Sequence, residues 1–127
     1  MNPSLRSVPW LVVALVVVAG FGAAGCSRGP AYVAEPDKAA VVLETVLAAW
    51  RDGATCEDLR KRVPPIHVAD ERWLRGAKLE SFEIGDVRPF GLSTRCEATL
   101  VGPAPLGTKK VVYHVSTQPA ISVALGD

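Results

Sequence analysis

Three cysteines, two histidines and one short acidic run carry most of the chemistry that this chain has to offer: Cys26, Cys56, Cys96, His67, His114, Asp70 and Glu71. Cys56 and Cys96 are an even pair once Cys26 is set apart, with no second Cys or His at ligand spacing. In an exported domain such a pair reads more naturally as a disulfide than as a metal site. The bridge would close a loop of about 40 residues, worth on the order of 3–4 kcal/mol by loop-closure entropy. The other reading is two buried thiols acting as small hydrophobes, because Cys96 falls on the apolar phase of its strand.

Acid–base or metal chemistry would have to be assembled from His67, Asp70, Glu71 and His114. The segment Ile66-His67-Val68-Ala69-Asp70-Glu71 lacks the His-Glu-x-x-His spacing of zinc hydrolases, and the chain holds neither a Gly-rich phosphate cradle nor a Gly-x-Ser-x-Gly elbow. Asp70 stands where a helix N-cap belongs, which leaves His67 without an assured partner. No catalytic residue, metal ligand or cofactor is therefore expected, and His67 and His114 are retained only as ligand-contact candidates.

The apolar front of the chain has a different chemistry. Residues 10–21 read WLVVALVVVAGF and lead through Gly22-Ala23-Ala24-Gly25 to Cys26, with Arg6 the only charged side chain among residues 1–26. A positive region, an apolar region and a small-residue region follow in secretory order. The apolar run falls short of the ~20 residues of a comfortable bilayer span, and its last third is Gly and Ala. Residues 1–25 are thus expected to be a cleaved signal peptide. Plain secretion, or an uncleaved single-span membrane subunit, are the alternatives.

Ala23-Ala24-Gly25-Cys26 resembles the lipobox of bacterial lipoproteins, with Ala23 where that family usually has Leu. The resemblance implies cleavage before Cys26 and acylation of its thiol, which a Ser or Ala could not carry as a thioether. Two or more acyl chains make membrane residence lasting. Ser27 is, by the sorting rule that the resemblance implies for Gram-negative cells, compatible with the outer membrane. Together with the Trp-containing helix and the Pro64-Pro65-Ile66-His67 segment, the lipobox also resembles small lipoproteins of planctomycete-type bacteria, a likeness that implies no activity.

Behind the front, residues 26–37 read as the lipidated Cys and a flexible spacer, and residues 38–127 as one small domain. Over residues 27–127 the 13 remaining Lys and Arg balance the 13 Asp and Glu. That excludes a strongly basic nucleic-acid binder and a polybasic membrane patch, and Arg60-Lys61-Arg62 is too short to be more than a solvated helix end. A helix is expected over Lys38–Asp52, with Leu43, Val46, Leu47 and Trp50 on one face and Gly53 past its end. A second follows Thr55, with Asp58 completing an imperfect capping box, and stops before Pro64-Pro65. Asp70 marks a third, single turn.

After Gly76 the period changes to 2. Strands are expected over Ala77–Val87, with a bulge where Leu79 falls out of phase, then Leu92–Val101, Lys110–Thr117 and Ile121–Leu125. Helices first and strands after is the α+β pattern: N-terminal helices on a curved antiparallel sheet of about four strands. This element order resembles cystatin-like and nuclear-transport-factor-two-like cone folds. Trp50, Trp73, Phe82, Phe90 and Tyr113 would then be core or line a pocket, with Trp73, between Arg72 and Arg75, the aromatic expected to be partly exposed and to touch a ligand.

The sequence thus points to a lipid-anchored cell-envelope protein, partnered by the membrane and by an unknown protein or small ligand, with no nucleic acid. The main rival is a small pocket enzyme using a His/Asp general base.

Overall fold

A computed structural model describes residues 32–126; the expected signal peptide, the lipobox, Cys26 and Ser27 lie outside the described residues. Helix α1 (Pro36–Arg51) starts with Pro in its first turn, where the missing N–H costs nothing. Asp37 in the first turn and Arg51 in the last complement its dipole. Its apolar stripe buries Ala39, Leu43, Val46, Leu47 and Trp50, and packs across three strands of the sheet.

Helix α2 (Cys56–Arg60) opens with the full capping box: the Asp58 backbone N–H donates to Thr55 Oγ1 at 3.1 Å and the Thr55 N–H to Asp58 Oδ2 at 2.9 Å. Strand β1 (Ile66–Ala69) and the single turn α3 (Glu71–Leu74) follow, then β2 (Ser81–Phe90), β3 (Ser93–Gly102), β4 (Gly107–Ser116) and β5 (Ile121–Leu125). No helix among the described residues is long and apolar enough to cross a membrane.

The five strands form one sheet in the order β1-β5-β4-β3-β2. β2 to β5 are antiparallel neighbours, whereas β1 joins β5 in parallel, with Ile66 opposite Ile121 and Val68 opposite Val123. Strand alternation sends Thr94, Cys96, Ala98, Leu100, Tyr113, Val115 and Val123 into the core beneath the helices. The opposite face carries His67, Arg95, Glu97, Lys110, Val112 and His114.

The α+β class stands as expected, but the order of helices first and strands after is corrected: β1 falls between α2 and α3. The antiparallel sheet of about four strands is corrected to a mixed sheet of five, because Ile66-His67-Val68-Ala69 becomes a strand once β5 is beside it. The bulge lies between Ile84 and Val87 rather than at Leu79, which is buried ahead of β2. Leu92 sits in the β2–β3 turn and is exposed, so it is not part of the buried alternation.

Candidate functional site

Asp70 is the one buried carboxylate among the described residues, 1 % exposed. Alternation along β1 turns it to the helix side, where it caps α3 by accepting from the Arg72 backbone N–H at 3.0 Å. Its other oxygen accepts from Tyr113 Oη at 2.7 Å, a bond that ties β4 to the β1–α3 junction. The Arg72 guanidinium lies 3.5 Å from Asp70 through Nε. Burial, and then the charge of Asp70, push the Tyr113 phenol far above its ordinary range, so it stays a neutral donor.

The same inner layer holds both cysteines. Cys96 is fully enclosed beside Tyr113 in the β3–β4 ladder, and Cys56 is buried at the start of α2. Both are free thiols, so the bridge weighed from sequence is not formed in this structure. Burial pushes both thiols up, Cys56 further through the charge of Asp70, which keeps them protonated and unreactive at neutral pH.

Trp73 is corrected from an exposed contact to a core residue. Its ring stacks on Trp50 with centroids 5.1 Å apart and planes 6° from parallel. Each indole N–H has its own backbone acceptor, Trp73 Nε1 donating to Ala54 O and Trp50 Nε1 to Ala77 O. Arg72 and Arg75 flank it in sequence, but the helical turn directs the ring away from both and inward. Tyr113 and Trp50 are likewise core, Phe82 is half-buried, and Phe90 is exposed.

His67 and His114 sit on the other side of the sheet from Asp70. His67 is exposed on β1. His114 is half-buried, its ring tilted against Phe90 at 5.0 Å and lying over Gly126, where even a Cβ would collide with it. Across the ladder it faces Arg95, which in turn faces Arg88. Arg95 is held by Glu97 at 3.1 Å, and Arg88 by Asp86. The structure therefore brings His114, Phe90, Arg95 and Arg88 together, and it does not bring either His to the acidic segment 70–71. Sequence reasoning missed this row because opposition across strands depends on register. Among the described residues no group of three or more His, Cys, Asp or Glu is placed to hold a metal ion.

No family model, curated protein or solved structure matches this chain.

Proposed function

We propose that the protein is a lipid-anchored, cell-envelope binding domain without catalytic activity, held at the membrane through acylated Cys26 and, in a Gram-negative host, at the outer membrane. The observation that carries the non-catalytic part is the use of Asp70. Its oxygens are taken up by Tyr113 and by the first turn of α3, on the face of the sheet away from His67 and His114. A His/Asp general base needs the two within hydrogen-bond reach, and the sheet lies between them. The anchor rests on the lipobox-like segment and its apolar run. The finer likeness to a cystatin-like cone, with the sheet curving around α1, belongs to the same reading and is supported by α1 packing across β2, β3 and β4.

The anchor is tested by mass spectrometry of the full chain from a bacterial membrane fraction. The expected product begins at Cys26 and carries diacylglycerol, and Cys26→Ser abolishes both cleavage and acylation. A wild-type product that retains Met1 overturns the anchor.

A further inference from the structure

β5 covers only part of its neighbour. Its ladder with β4 runs over Tyr113–Ser116, and the last bond is the Gly126 N–H donated to Val112 O at 2.7 Å. Below that point β4 continues through Val111 to Gly107, paired with β3 on one side and with no described strand on the other. Because Val112 turns its carbonyl towards β5, alternation aims the backbone groups of Lys110 and Thr108 out of the same edge. The other edges are blunted: β2 carries its irregularity at Ile84/Val87 and Pro89, and β1 is short and has α2 against it.

A cavity of about 560 Å³ reaches this edge from across β2 and β3, lined at the edge by Arg72, Lys110, Val111, Val112, Leu125 and Gly126. Glu83 and Glu97 also line it, the latter engaged by Arg95. Arg72 Nε and Nη2 are buried and form no hydrogen bond among the described residues, although Asp70 Oδ1 stands 3.5 Å from Nε. Buried guanidinium donors without acceptors are costly, and a carboxylate is the acceptor that matches their fork. Lys109 and Lys110 on the edge disfavour indiscriminate pairing and add charge of the same sign.

We propose that this edge of β4 is a peptide-binding site, where an extended segment adds a strand to the sheet and sets a carboxylate on Arg72. The mode is strand addition, in which main-chain bonds supply affinity and one anchored group supplies selectivity. The inference rests on the binding-domain reading above but not on the anchor: a Met1 start leaves the site standing, and a silent edge leaves the anchor standing.

The test uses the isotope-labelled full chain in detergent micelles and three acetylated hexapeptides: Thr-Val-Thr-Val-Ser-Val as the free acid, the same peptide as its amide, and an amide with Asp at its third position. Backbone amide shifts are followed at Thr108 and Lys110. The expected result is saturable shifts there, with at least one carboxylate-bearing peptide binding about tenfold or more tighter than the uncharged amide, as a charge-assisted contact requires. Which acid wins tells a C-terminal carboxylate from a side-chain one. Arg72→Gln removes the preference, and Lys110→Pro, which keeps the β3 ladder but deletes an outward N–H, removes binding. No shift with any peptide, shifts confined to other strands, or unchanged binding by folded Lys110→Pro overturns the proposal.

Discussion

At the scale of single residues, the Asp70–Tyr113 bond joins two fully buried groups 43 positions apart. Tyr113→Phe removes the donor and leaves a buried carboxylate oxygen unsatisfied, so chemical denaturation should show a loss of about 1–3 kcal/mol. The phenol's raised pKa also fixes a pH dependence. Its ordinary value is 10.0 and its folded value is higher, so its neutral form is favoured by folding. That contribution is whole below pH 10 and is lost as pH rises from there towards the folded value. Denaturant midpoints measured from pH 10 upward should fall for the wild type and fall less for Tyr113→Phe. The sequence already placed Asp70 as a helix cap, since capping is written in neighbouring residues. Its second partner was not legible, because only the register of β4 brings Tyr113 under it.

At the scale of elements, the caps and turns were the most readable parts. The Thr55/Asp58 box forms both of its bonds, and Thr55→Ala should cost about 1 kcal/mol in thermal or denaturant unfolding. Gly102 is a different case, where the chain passes so close that a Cβ would collide with the Lys78 carbonyl and the Leu106 side chain. Gly102→Ala should therefore cost about 1–3 kcal/mol, with the largest amide shifts at residues 78–80 and 106. Nothing in the local Val101-Gly102-Pro103 sequence says more than "turn". β1 was unreadable for a related reason: four residues behind Pro64-Pro65 have too little pattern to declare a strand, and their hydrogen bonds are all owed to a segment more than 50 positions away. Trp73 was misread because its charged neighbours in sequence are not its neighbours in space.

At the scale of the whole molecule, one contact reaches between the ends of the described chain. Glu35, just before α1, accepts from Thr117 Oγ1 at 2.7 Å and pairs with Lys38 at 3.0 Å. The Thr117 bond first, and then Lys38, hold its carboxyl below the ordinary 4.5. Such a group stabilises the fold above pH 4.5, and the contribution is lost as pH falls through the lower folded value. Acid titrations of Thr117→Val should accordingly show a shallower decline below pH 4.5 than the wild type.

The position of β5 has a consequence in the order of synthesis. It is the last described strand in the chain, yet it stands between β1 and β4. A ribosome that has released residues up to Gln118 has made every other described element, and β1 still has no partner on the sheet. Assembly of the β1 side of the molecule therefore waits for residues 121–125, and a nascent chain halted before them should remain sensitive to protease at residues 54–80 while β2–β4 already form a hairpin stack.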